Sequence, residues 1–162
     1  MKVYRLCKEQ YATKLDGKGA EMYGGRWNEV GTPMIYTSES RALAILEVLA
    51  GIPRQTLPRG FVVVTILLPQ KPEILPLPTL VKDWQTYPPL PATMALGTRW
   101  VSERKSLALR VPSALMPEER NILINPHHDL INTVMIEDVK DYVFDERLFG
   151  WKSSPKPLSR MS

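Results

Sequence analysis

The run Phe61–Leu68, FVVVTILL, sits between Gly60 and Pro69 and constrains the fold more than any other stretch. Eight apolar or β-branched residues without alternation read as a central strand that is buried on both faces. The same run is far too short to cross a bilayer as a helix. Around it the chain reads as one domain of 162 residues with 44% hydrophobic and 23% charged content, ordinary values for a soluble globular protein. The N-terminus MKVYRLCKEQ has no apolar segment of signal-peptide type, and Cys7 is the single cysteine, so a cytoplasmic location is expected.

Further elements follow from local chemistry. Val3–Leu6 and Met34–Thr37 read as strands. A helix capped by Ser38 or Ser40 runs to about Ala50, because a serine oxygen accepts a free first-turn amide. Gly51 then supplies a left-handed cap, Pro53 prevents continuation, and Leu43, Leu46 and Leu49-Ala50 face the core. Tyr11–Ala20 carries turn signals. Pro69–Pro91 holds seven of the fifteen prolines and reads as a long connection with a short helical turn near Leu80–Gln85. Ala92–Glu103 is helical despite Gly97, Leu107–Val111 is a strand, and Asn125-Pro126 starts a turn. Thr133–Glu137 and Tyr142–Phe149 read as two closing strands, and the tail from Lys152 is polar and loose.

The chemistry concentrates in Tyr23–Leu49, YGGRWNEVGTPMIYTSESRALAILEVL. Gly24 and Gly25 let a ligand approach the backbone and deliver Arg26, whose guanidinium suits a phosphate. Asn28 and Tyr36 follow. Glu47 is the only charge between Ala42 and Ala50; an isolated carboxylate among apolar groups is a candidate for a role, although an exposed helix glutamate is the commoner situation. Tyr36 also reads as a half-buried strand aromatic, and Ser113 as a turn-closing residue or a donor to a ligand oxygen. His127-His128 lacks accompanying ligands, so no metal site is expected. Gly17-x-Gly19 lacks a third glycine, and there is no phosphate-binding loop. The four tryptophans, Trp27, Trp84, Trp100 and Trp151, read as core rather than as a stacking platform. The net charge of +4 is scattered, which argues against a nucleic-acid-binding module.

Across nearly its whole length the chain resembles the RES-domain family, the toxin halves of bacterial toxin–antitoxin pairs whose antitoxins are Xre-like. The resemblance rests on VYRL, KGAEMYGGRWNEVGTPMIYTSES, ALAILEVL, VVVTILLP, LGTRWVSE, LALRVPSALMPEERNILINPHH and VFDERLF. It implies an α+β, ADP-ribosyltransferase-like fold: a small mixed sheet with flanking helices and an NAD cleft, in a RES domain over residues 1–151 with a polar tail at 152–162. The arginine, glutamate and serine of the family name look like Arg26 (or Arg5), Glu47 and Ser113. A site of Arg26, Tyr36 and Glu47 is implied, with Arg5, Gly25, Asn28, Ser113 and Asn125 as further NAD-binding candidates. The implied activity is cleavage of the nicotinamide–ribose bond of NAD without a metal, or mono-ADP-ribosylation of a protein. The implied partner is a cognate Xre-like antitoxin that occludes the site.

Overall fold

The computed structural model of the protein describes residues 1–55, 57–76 and 79–150. Trp151 and the polar tail lie outside the described residues. The strands are β1 (Lys2–Lys8), β2 (Ile35–Ser38), β3 (Phe61–Leu67), β4 (Glu73–Ile74), β5 (Ala108–Pro112), β6 (Arg120–Ile124) and β7 (Met135–Tyr142). The helices are α1 (Lys18–Tyr23), α2 (Arg41–Gly51) and α3 (Pro91–Glu103). The seven strands form one sheet in the order β4-β5-β6-β2-β1-β3-β7. Every pairing is antiparallel except β4 with β5, so the sheet is mixed, as expected.

The lack of alternation in β3 has a direct cause. Val62, Val64 and Ile66 enter one apolar cluster with Val3, Ile35, Ile122 and Ile124. Val63 points to the opposite face and meets Leu6, Phe144 and the apolar side of α2. Both faces are covered, so the strand is apolar at both register positions except for Thr65, whose hydroxyl accepts from Arg41 at 3.4 Å. The strand lies next to the β7 edge rather than at the centre of the sheet.

The second face carries two separate patches. The α2 patch gathers Ile45, Val48, Leu49 and Ile52 around Leu6, Val63, Phe144 and Phe149. The α3 patch gathers Trp27, Met34, Trp100, Val101, Leu109, Val111 and Leu123. The polar ends of β2 and β6 lie between them, and a cleft opens there.

Several boundaries differ from the sequence reading. Ser40, not Ser38, caps α2; its side chain accepts from the Leu43 N–H at 3.1 Å. Gly51 closes the helix without a left-handed conformation, because Ile52 precedes Pro53 and takes an extended backbone (φ −88°, ψ 130°). Leu46 and Ala50 are exposed, and the buried positions of α2 are Leu43 and Ala44. The segment 82–85 is a turn rather than a helix. The expected second closing strand is a 3-10 turn, Glu146–Phe149, whose start is capped by the Asp145 carboxylate on the Arg147 N–H at 2.9 Å. Helix α1 and strands β4 and β6 were not foreseen. Turn residues mask the start of α1: Asp16 accepts from the Lys18 N–H at 3.1 Å, and Gly17 is the N-cap.

Gly97 explains how a glycine survives inside α3. A Cβ there would collide with the carbonyl oxygen of Trp27. The missing side chain lets the helix touch the loop that carries Trp27, which is 2% exposed. Gly97→Ala is expected to destabilise the protein by about 2–3 kcal/mol, because backbone must move on one side or the other. The urea midpoint of unfolding, compared with an exposed control such as Gly19→Ala, checks this.

Candidate active site

Glu47 leaves α2 one turn after the buried Leu43 and Ala44, facing the sheet ends rather than open solvent. One carboxylate oxygen, Oε1, accepts two hydrogen bonds: from Ser113 Oγ at 2.7 Å and from Asn121 Nδ2 at 2.6 Å. Oε2 has no hydrogen-bond partner among the described residues. Ser113 follows β5 and is fully buried. Its oxygen accepts from the backbone N–H groups of Leu115 and Met116 at 3.1 and 3.0 Å. Its own proton is therefore committed to Glu47. The serine thus closes a turn and holds the glutamate, and a direct bond to a ligand is not its evident task. Asn121, on β6, escaped the sequence reading; β6 was not recognised, so nothing placed this asparagine opposite the helix.

Arg26 comes from the loop after α1. Its Nη1 donates to the carbonyls of Trp84 and Thr86 at 2.6 and 2.9 Å. The indoles of Trp27 and Trp84 lie 5.8 Å apart beside it. The arginine therefore ties the proline-rich connection to the glycine-rich loop, and its other nitrogens have no hydrogen-bond partner among the described residues. Burial pushes its pKa below the ordinary arginine value, and the negative field of Glu47 opposes that shift. The two groups are electrostatically coupled without forming an ion pair.

Arg26 and Glu47 line the same cleft of about 620 Å³, with Gly25, Gly51, Gln85, Tyr87 and Leu115 among its walls. Glu47 also lines a smaller recess of about 70 Å³ with Arg5, Tyr36, Ser38, Ala44 and Asn121. The carboxylate thus stands at the junction of the two. Arg5 is in the recess rather than beside Arg26, and its Nη1 donates to the Lys14 carbonyl at 2.9 Å.

Tyr36 also faces the recess, and its hydroxyl is fully employed. It accepts from the Trp27 N–H at 3.0 Å and donates to Asn28 Oδ1 at 2.7 Å. Burial, the main cause, pushes the phenol pKa well up. The ring is available to a ligand, while the hydroxyl is no acid–base group. Gly25 is fixed by the same contact, since a Cβ there would lie 2.6 Å from the Tyr36 hydroxyl.

Asn28 and Asn125, expected as ligand contacts, are engaged by the fold in this structure. Asn28 is fully buried, and its Nδ2 serves the carbonyls of Ala20, Glu29 and Thr32. Asn125 is fully buried as well; it donates to the Val101 carbonyl at 2.9 Å, accepts from the His127 N–H at 2.9 Å and lines neither cleft. Both stabilise turns that the site depends on. His128 accepts from the Leu130 N–H through Nδ1. No cluster of three or more potential metal ligands occurs among the described residues.

A mixed α+β sheet with an arginine–glutamate cleft defines the class, and comparison with known proteins gives the family. The model of the RES domain matches residues 2–145. A "Toxin Res" of Photorhabdus laumondii is 38% identical over 154 residues, covering 91% of this chain and 97% of the relative. A "Prs ADP-ribosylating toxin" of a Sphingobium species is 34% identical, covering 85% of this chain and 88% of the relative. A chain of the M. tuberculosis MbcT–MbcA toxin–antitoxin complex shares the fold, with a TM-score of 0.68 at 19% identity, covering 92% of this chain and 86% of that one. The chain belongs to the RES domain family and is a toxin of RES type.

Tyr36→Phe is expected to cost about 1–3 kcal/mol, because Asn28 Oδ1 and the Trp27 N–H lose their partner in a dry setting. The raised phenol pKa adds a pH signature. Its contribution to stability is complete below the unfolded value of about 10 and is lost as pH climbs toward the higher folded value. The stability gap between the native protein and Tyr36→Phe should therefore narrow above pH ~10, as read from urea titrations at a series of alkaline pH values.

Proposed function

We propose that the protein binds NAD and breaks its nicotinamide–ribose N-glycosidic bond, with Arg26, Tyr36 and Glu47 as the working residues. One observation carries the reading: Arg26 and Glu47 share a cleft whose volume, about 620 Å³, suits a dinucleotide, and one oxygen of the glutamate has no hydrogen-bond partner among the described residues.

Cleavage of this bond develops positive charge on the ribose, through an oxocarbenium-like state. The electron pair of the breaking bond goes to the nicotinamide nitrogen, so the leaving group departs neutral and needs no general acid. What the reaction does need is a fixed negative charge near the ribose. Glu47 supplies it through Oε2, since Oε1 is saturated by Ser113 and Asn121. Arg26, with Nη1 already bound to the loop carbonyls, turns its remaining donors to the diphosphate. The Tyr36 ring offers a face for the nicotinamide in the recess beside Glu47. Arg5, in that recess, is a second cation for the ribose or phosphate end.

The acceptor is water or phosphate on this reading, which makes the protein an NAD-depleting toxin. A second reading is transfer of ADP-ribose to a protein. It is favoured by the name of the Sphingobium relative, an ADP-ribosylating toxin. We also read the open cleft as the surface that a cognate Xre-like antitoxin covers, an arrangement in keeping with the toxin–antitoxin complex of the structural neighbour.

The purified protein is expected to release nicotinamide from NAD. Glu47→Ala should lower kcat at least about a hundredfold, as loss of a transition-state charge contact does. Arg26→Ala should mainly raise KM, about tenfold or more, since a ground-state anchor is removed. An undiminished rate in both variants would overturn the assignment. Labelled NAD with cell extract separates the acceptors: label on a protein band marks transfer, and label confined to small molecules marks depletion.

A further inference from the structure

We propose that Asn121, seated on Ser38, is a positioning residue for the reaction: the pair aims the free oxygen of Glu47 into the cleft. The inference rests on the NAD reading above for its chemistry, though not for its geometry.

The hydrogen bonds form a directed chain. Ser38 Oγ donates to Asn121 Oδ1 at 2.6 Å, and Asn121 Nδ2 donates to Glu47 Oε1 at 2.6 Å. The amide cannot be turned round, because its carbonyl would then face a carboxylate oxygen at the same distance, acceptor against acceptor. Ser38 and Asn121 are directly paired across β2 and β6, so the two strands set the spacing of the chain. Ser113 reaches the same Oε1 from the end of β5. Two donors, one from β6 and one from the turn after β5, converge on a single oxygen, which fixes the rotation of the carboxylate and leaves Oε2 without a partner among the described residues.

Ser38 is 3% exposed and Asn121 is 9% exposed, so both polar groups lie away from water. A buried polar network costs desolvation and gives a net return only when every member is satisfied. Here the last member to be satisfied is the glutamate. Ser38, Asn121 and Glu47 all line the small recess, as does Arg5, while Arg26 is the cation on the cleft side. The network therefore ends at the junction where the ribose is to be cleaved.

The test compares Asn121→Ala, Asn121→Asp and Ser38→Ala, each alone and on Glu47→Ala, with circular dichroism and urea unfolding as controls for folding. Nicotinamide release is measured at one fixed pH for all variants. Asn121→Ala should lower kcat on the order of ten- to a hundredfold with KM within about twofold, because a misplaced group loses rate rather than binding. Asn121→Asp should be at least as impaired as the alanine variant. It keeps the shape and the bond to Ser38, but it replaces the amide donor with a second carboxyl group that shares one proton with Glu47 and so removes part of the negative charge that the glutamate offers the ribose. Ser38→Ala should show a smaller loss of the same kind. On the Glu47→Ala background none of the three should lower the rate further. A merely structural role predicts the reverse order, with the isosteric aspartate milder than alanine and losses that add to Glu47→Ala; either result overturns the proposal.

Growth arrest on expression gives a second readout that does not depend on the substrate. If the native chain arrests growth yet releases no nicotinamide, the NAD reading fails. Relief of arrest by Asn121→Asp in a folded, soluble protein still supports the positioning role, and undiminished arrest overturns it. Should Asn121→Ala fail to fold, the aspartate variant decides.

Discussion

A single carboxylate oxygen joins three elements of this protein. Glu47 Oε1 takes one hydrogen bond from the turn after β5 and one from β6, while the residue itself rides on α2. Charge-assisted hydrogen bonds of this length are about twice as strong as neutral ones, and they demand a fixed direction. Helix α2 must therefore sit on the sheet at one rotation and one depth. Its start is set by the Ser40 cap, and its depth by Leu43 and Ala44 against β1 and β2. Ala44 also lines the recess beside the carboxylate, where a larger side chain would fill the space that the ligand reading requires.

The arginine is placed by a separate set of contacts. Trp27 is buried against α3 at Gly97, and its backbone N–H is held by the Tyr36 hydroxyl. Asn28 is fastened by four hydrogen bonds, one from that same hydroxyl. With both following residues immobilised, the Arg26 side chain has a defined origin, and its Nη1 spans to the loop at Trp84 and Thr86. Residues that look like ligand contacts in the sequence thus serve mainly to aim the one residue between them and the glycines.

Where the sequence was legible, a local rule acted alone. The double-sided apolar run at β3, the serine cap of α2 and the lone charge within that helix follow from periodicity and capping, and each was placed correctly to within a residue or two. The illegible parts were decided by distant partners. Strand β6, Arg120–Ile124, is buried by α3 on one face and by β3's cluster on the other, but its polar start, Arg120-Asn121, leaves only three apolar residues to mark it. Losing β6 meant losing Asn121. The roles of Asn28 and Asn125 were likewise hidden, because a fully buried amide and a ligand-facing amide look identical in a sequence; only the carbonyls of Ala20, Glu29, Thr32 and Val101 tell them apart. Gly97 looked like a weakness in a helix and is instead the contact surface for Trp27.

The division of labour bears on the question of acceptor. On the proposed reading, stabilising a ribosyl cation and holding a diphosphate are needed whether water, phosphate or a protein side chain arrives next, and Arg26 and Glu47 would serve all three equally. Discrimination must then lie in groups that meet the acceptor and not the dinucleotide. The rim of the cleft holds such groups: Tyr23 is 79% exposed, Val30 71% and Tyr87 90%. These side chains gain nothing for the fold by standing in water, and burying one recovers roughly 1.5–3 kcal/mol. A small acceptor such as water or phosphate cannot recover that energy, whereas a macromolecule lying across the mouth can. On the proposed reading, an antitoxin and an acceptor protein would compete for the same apolar edge.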